Sequence, residues 1–109
     1  MDNPTAWLNS LAREIFQISH SKGFHDEKVP FAQAIALIHS ELSEALEADR
    51  KDLMDDKLPH RKGREVELAD AVIRIFDCAA DNDMDIHGAV MEKMAYNATR
   101  PKMHGGKKY

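Results

Sequence analysis

Apolar residues recur along this chain at intervals of three and four positions in four separate stretches, a rhythm that predicts helices throughout. In the first stretch Leu8, Leu11, Ala12, Ile15, Ile18 and Ser19 share one face, with Asn3 placed as a cap and Pro4 in the first turn, so a helix is expected from about Pro4 to His20. Gly23 suits the position just past its end, and Gly23-Phe24-His25-Asp26 reads as a connecting loop before Pro30. The second stretch, residues 30–50, repeats Phe31, Ile35, Ile38, Leu42 and Ala45, the spacing of a bundle seam. Residues 51–62 are charged and contain Pro59, and read as a loop. The third stretch, residues 64–83, sets Val66, Ala69, Val72, Ile73, Phe76, Ala79 and Ala80 on one broad face and ends at Asp81-Asn82-Asp83. A fourth helix is expected from about Ile86 to Asn97, with Ile86, Ala89, Val90 and Met94 on one side and Pro101 as a stop. No stretch alternates with the period of a strand. The expected fold is all-α, a bundle of about four helices over residues 1–97, followed by a basic tail at residues 98–109.

Composition sharpens this picture. A chain of 109 residues with 43% apolar but only 6% aromatic residues fits one small domain with a modest core of Leu, Ile, Ala and Met, which self-association would complete. The net charge of −4 is unevenly spread. Arg100, Lys102, Lys107 and Lys108 crowd into the last residues without an acid among them, leaving the body at about −8. An acidic body with a cationic end suits a polyanion held through metal ions, whereas a nucleic-acid binder would carry a broader basic face. No apolar run is long enough for a membrane span, and Met1-Asp2-Asn3 lacks a basic start, so a cytoplasmic protein is expected. The single cysteine, Cys78, excludes an internal disulfide and a multi-cysteine zinc site.

The chemistry concentrates in two acidic spacings, Glu41-Leu-Ser-Glu44 and Glu67-Leu-Ala-Asp70. On helices each pair projects from one face, so four carboxylates can meet as two facing pairs, which repel unless cations lie between them. At 100° per residue, Glu41 falls about 60° from Ile38, between Ala34 and Leu37, and Glu44 lies near the edge of the apolar arc. The third helix fits less well: Asp70 lies about 100° and Glu67 about 160° from Ala69, on a polar stripe with Arg74 and Asp77 that a second subunit is expected to cover. Oxygen donors favour hard cations, Mg²⁺ first and Mn²⁺ as a substitute. Two such ions would neutralise a triphosphate, orient it and acidify a water for in-line attack on phosphorus. Either acidic pair alone is ordinary on a solvated helix face. Two pairs, one set into an apolar arc, are less so.

At the basic end, Lys93 and Asn97 stand one turn apart and Arg100 follows by three, so all three reach one side of a ligand. Arg100 suits bidentate contact with phosphate, Lys93 a point charge, and Asn97 a sugar or base. Lys107, in the closing His104-Gly-Gly-Lys run, belongs to a tail expected to order on an anion. Trp7, Phe16 and Phe24 are candidates for base stacking, although core packing is their commoner role. His20, His25, His60 and His87 show no ligand spacing, and His39 projects away from the seam, so zinc is not expected.

The run Ile38-His-Ser-Glu41-Leu-Ser-Glu44-Ala-Leu-Glu47, followed by Glu67-Leu-Ala-Asp70-Ala-Val-Ile-Arg-Ile-Phe-Asp77, resembles the all-α nucleotide pyrophosphohydrolases of the MazG-like superfamily, especially the short phage and bacterial members. The tail, Lys93-Met-Ala-Tyr-Asn97-Ala-Thr-Arg100-Pro101 with His104-Gly-Gly-Lys107, is similar to the end of those proteins, so the resemblance spans nearly the whole chain. It implies Mg²⁺-dependent cleavage of a nucleoside triphosphate to monophosphate and pyrophosphate, in a homodimer or dimer of dimers, with Glu41, Glu44, Glu67 and Asp70 as metal ligands. The family pattern is Glu-Glu-x-x-Glu followed by Glu-x-x-Asp, and Ser40 stands at its first acidic position. Glu44 or a metal-carried hydroxide would then serve the attacking water. Two other classes compete. A redox di-iron bundle would need Glu-x-x-His pairs, which neither motif has. A nucleotide-binding or regulatory helical module without catalysis is kept open by Ser40.

Overall fold

Particular residues mark where the first helix ends and the second begins. In a computed structural model describing residues 6–101, α1 spans Trp7–Ser21, α2 Phe31–Arg50, α3 Gly63–Asp81 and α4 Ile86–Ala98, with no strand among the described residues. The expected Asn3 cap and Pro4 lie outside those residues, and α1 begins at Trp7. It closes through Gly23, whose φ of 86° is the left-handed conformation that glycine adopts without Cβ strain. That geometry lets the Phe24 N–H reach back to the Ser19 carbonyl at 3.1 Å. Pro30, with φ −59°, then sets the direction of α2.

The charged segment after α2 is a tight hairpin rather than an open loop. Asp55 N–H donates to the Arg61 carbonyl at 2.9 Å and Gly63 N–H to the Leu53 carbonyl at 2.8 Å, around a single bridge between Met54 and Lys62. The Asp55 carboxylate caps the turn by accepting the N–H groups of Lys57 and Leu58 at 2.9 and 2.7 Å. This hairpin returns α3 along α2, and Gly63 lies directly against Ala48 and the Leu53 backbone. A Cβ there would lie 3.1 Å from Ala48 Cβ and 3.1 Å from the Leu53 oxygen. The Asp85 side chain opens α4 by accepting the Gly88 N–H at 2.9 Å. Asn9 clamps that end to α1, donating to Asp85 at 2.8 Å and accepting the His87 N–H at 2.9 Å.

The principal helix pairs are α2 with α3, α1 with α3, and α4 with α1. The core is made of small side chains: Ala12, Ala45, Ala48, Ala71, Ala79 and Cys78 are buried beside Leu8 and Ile38, and no large side chain is fully enclosed among the described residues. Two expectations fail here. On α3, Ala79 is buried and Val66, Phe76 and Ala80 half-buried, but Ala69, Val72 and Ile73 are exposed, while Glu67 and Asp70 turn inward. On α2, Phe31 and Leu42 are exposed and Ala48 is buried, whereas Glu41 is buried within the apolar arc, as its angle from Ile38 predicts. The polar stripe expected to await another subunit is therefore set against α2 of the same chain. Small residues at Gly63, Ala71 and Ala48 let these helices approach on their less apolar faces, which leaves the greasier faces outside. The radius of gyration, 16.4 Å, exceeds the roughly 13 Å of a compact domain of about 100 residues. No helix among the described residues is long and apolar enough to cross a membrane.

Gly63→Val is expected to destabilise the fold by about 1–3 kcal/mol, because its branched side chain must displace Ala48 or the Leu53 backbone. Urea unfolding followed by circular dichroism measures the effect. An unchanged midpoint would contradict the close approach.

Candidate metal centre

The α2–α3 contact brings together the acids that the two spacings singled out. Glu41 is only 9% exposed, and its Oε1 accepts from Arg74 Nε at 2.9 Å. Glu41, Glu67 and Asp70 each direct one carboxylate oxygen to a common point, all within 4.8 Å of one another. Glu44, one turn along α2, is exposed to solvent and neighbours Glu67.

The electrostatics of this cluster are those of a site short of positive charge. Sharing of a proton with the Glu44 carboxylate, loss of solvent, the Glu44 charge, the adjacent Glu41 carboxylate and the Asp70 charge together push the Glu67 carboxyl from 4.5 up to about 8. Its Oε2 is shut off from water with no hydrogen-bond partner. Asp70 is also raised, first by burial and then by the charges of Glu41 and Asp55, with Arg74 opposing. Such a cluster is relieved by taking up either a proton or a cation. Asp55, which sequence spacing missed, is not among the converging carboxylates but lies near enough for its charge to raise Asp70. It stands in the hairpin, and no helical period connects it to the two motifs.

Among the described residues, no hydrogen bond or ion pair joins the basic end to these acids. Lys93 and Arg100 flank the Tyr96 ring, with Lys93 Nζ 4.8 Å and Arg100 Cζ 5.9 Å from its centroid. Along with Asn97 they belong to the α4 end of the chain, which packs chiefly on α1. Lys107 lies outside the described residues. The Ser40 hydroxyl donates to the Leu37 carbonyl at 2.6 Å.

Comparison with protein-family models, curated proteins and solved structures gave no match.

The aromatic candidates separate clearly. Phe16 lies within a ring stack, 4.3 Å from His25 and 5.8 Å from His20. Trp7 and Phe24 are exposed. His25, which spacing left without a role, has its Nε2 3.2 Å from Asp77 Oδ2. Cys78 is buried, and that burial raises its thiol. The group of potential metal ligands found among the described residues is all carboxylate, Glu41, Glu67 and Asp70.

The Glu67 shift has a definite sign. The folded state holds this proton more tightly than the unfolded chain, so the stabilisation is complete below about 4.5 and is lost as pH rises through about 8. Asp70 shifts the same way. Asp52 and Asp85, lowered from 3.8 chiefly by hydrogen bonds from Lys62 and Asn9, contribute in full above that value and do not oppose the trend. The metal-free protein should therefore melt at a lower temperature at pH 8 than at pH 5. Mg²⁺ should restore more of the loss at pH 8, and Glu67→Gln should flatten the pH dependence. Thermal melts in a chelator and in Mg²⁺ check this, and equal slopes for wild type and variant would contradict it.

Proposed function

We propose that the protein is a cytoplasmic Mg²⁺-dependent nucleoside triphosphate pyrophosphohydrolase that splits the anhydride between α- and β-phosphates. The observation that carries this reading is the convergence of Glu41, Glu67 and Asp70 within 4.8 Å, with Glu44 beside them and Glu67 Oε2 shut away without a donor. An all-carboxylate donor set fits Mg²⁺, or Mn²⁺ in its place, and contains neither the thiolate nor the imidazole that zinc prefers. Glu41, Glu44, Glu67 and Asp70 would hold the ions. When bound, Mg²⁺ supplies charge neutralisation for the polyphosphate and lowers the pKa of a coordinated water.

The chain's own groups divide the remaining work. Arg74 fixes the orientation of the buried Glu41 carboxylate through Nε, so that this ligand is pre-set. Glu44, open to solvent, receives the proton of the attacking water in the place that Ser40 leaves empty of a carboxylate. The water oxygen bonds to phosphorus, the bridging P–O bond breaks, and pyrophosphate departs with the bridging electron pair.

Lys93, Asn97 and Arg100 would engage phosphate and sugar from a second copy of the chain. Self-association as a homodimer or dimer of dimers is supported by the exposed rows Leu42 and Leu46 on α2 and Leu68, Val72 and Ile75 on α3. With no large side chain fully buried among the described residues, the chain gains its missing core by pairing those rows.

Pyrophosphate release should be seen from one or more nucleoside triphosphates in Mg²⁺ and vanish in chelator. Combined Glu41→Gln and Asp70→Asn replacement should cost more than the roughly 10–100-fold typical of outer-shell changes. Turnover that persists in the double variant would remove the proposed centre. Nucleotide binding without product would leave a binding module instead. Separately, Leu46→Asp with Val72→Asp should lower the mass measured by light scattering. A wild-type protein that stays monomeric well above about 1 μM, where an association worth about 8 kcal/mol is half-formed, would contradict the assembly.

A further inference from the structure

A cavity of about 350 Å³ opens beside the carboxylates, bounded by the turn after α1 and by α2 and α3. Glu41, Asp70 and Arg74 border it, as do Phe24, His25, Asp77 and Asp81. Its size lies within the range of about 300–1,000 Å³ usual for small-molecule sites.

Phe24 is 69% exposed, more than any other large apolar side chain among the described residues. Its backbone is nevertheless held firmly. Gly23 sets the turn at φ 86°, the Phe24 N–H is bonded to Ser19, and the adjacent His25 is anchored to Asp77 at 3.2 Å and stacked on Phe16 at 4.3 Å. An aromatic ring kept bare on an ordered rim is preorganised for a flat partner, because little freedom remains to be lost on contact.

The lining is acidic as well as apolar. Among the described residues, Glu41, Asp70, Asp77 and Asp81 share the lining with two basic side chains, and both are engaged: Arg74 with Glu41, and His25 with Asp77. A phosphate would be repelled from this cavity unless cations shield it. A neutral, planar group carrying N–H donors on its edge matches it. In a nucleotide whose phosphates lie at the metal centre, the base has that character.

We infer that this cavity is the base site, with the base stacked on Phe24 and its outer edge turned to the carboxylates of Asp77 and Asp81, selecting bases with an exocyclic amine over their oxo counterparts. The inference rests on the nucleotide function proposed above. Cytosine and adenine satisfy the lining; uracil and hypoxanthine place a carbonyl oxygen against it.

The test uses calorimetric titration of the full chain with CMP, UMP, AMP and IMP in Mg²⁺, alongside pyrophosphate release from the matching triphosphates. CMP and AMP should bind about tenfold tighter than UMP and IMP, the difference expected for one hydrogen bond to a charged acceptor. Phe24→Ala should weaken all four by about tenfold while leaving the Mg²⁺-induced rise in melting temperature unchanged. Asp81→Asn should narrow the gap within each amino/oxo pair. Equal affinities within both pairs, or no nucleotide binding at all, would overturn the inference, as would Phe24→Ala lowering the molecular mass without changing affinity, which assigns Phe24 to a contact between copies. Discriminating binding without hydrolysis would sink the catalytic function alone. Hydrolysis with equal kcat/KM across the pairs and no Phe24 effect would sink the base site alone.

Discussion

Mutual repulsion among carboxylates packed between two helices is the constraint around which this molecule is arranged. Burying an acid beside other acids is costly, because solvent no longer screens them and each charge raises the free energy of the next. Arg74 offsets part of this at Glu41, and a proton on Glu67 offsets more. What keeps the acids together is the backbone approach of α2 and α3, made possible by Gly63 against Ala48 and by the alanines along the same contact. The hairpin of residues 51–62 holds that approach through its own hydrogen bonds and brings Asp55 to the edge of the cluster.

The same arrangement explains the thin core. Turning Glu67 and Asp70 inward rotates the more apolar side of α3 outward, so Leu68, Val72 and Ile75 face solvent in the single chain. The hydrophobic effect is roughly proportional to the apolar area removed from water, and a chain that leaves this much uncovered retains driving force for association. Acidic chemistry inside and apolar surface outside are thus two consequences of one helix rotation. The basic residues of α4 belong to a helix packed chiefly on α1, whereas the acids lie between α2 and α3.

A second feature couples the turn after α1 to α3. The stacked rings of His20, Phe16 and His25 and the contact of His25 with Asp77 make the turn part of the α1–α3 packing. Order at the turn and depth at the acidic cluster are therefore linked through α3, which carries Asp70, Arg74 and Asp77 at intervals that keep them along one side of the helix.

Helical periodicity by itself determined the number of helices and their approximate limits, since the three-to-four spacing, Gly23 and Pro30 report local backbone preferences that do not depend on distant residues. It also singled out Glu41, Glu44, Glu67 and Asp70, because an i, i+3 spacing on a helix fixes which side chains project together. Tertiary structure alone decided which face of α3 was inside. Hydrophobic pattern ranks faces by apolarity, but the winning contact was the one that small residues allowed to come closest, and that contact included the acids. Asp55 at the cluster, His25 against Asp77 and the bare rim position of Phe24 were likewise decided only in three dimensions, because each depends on residues brought together by turns rather than by any period along the chain.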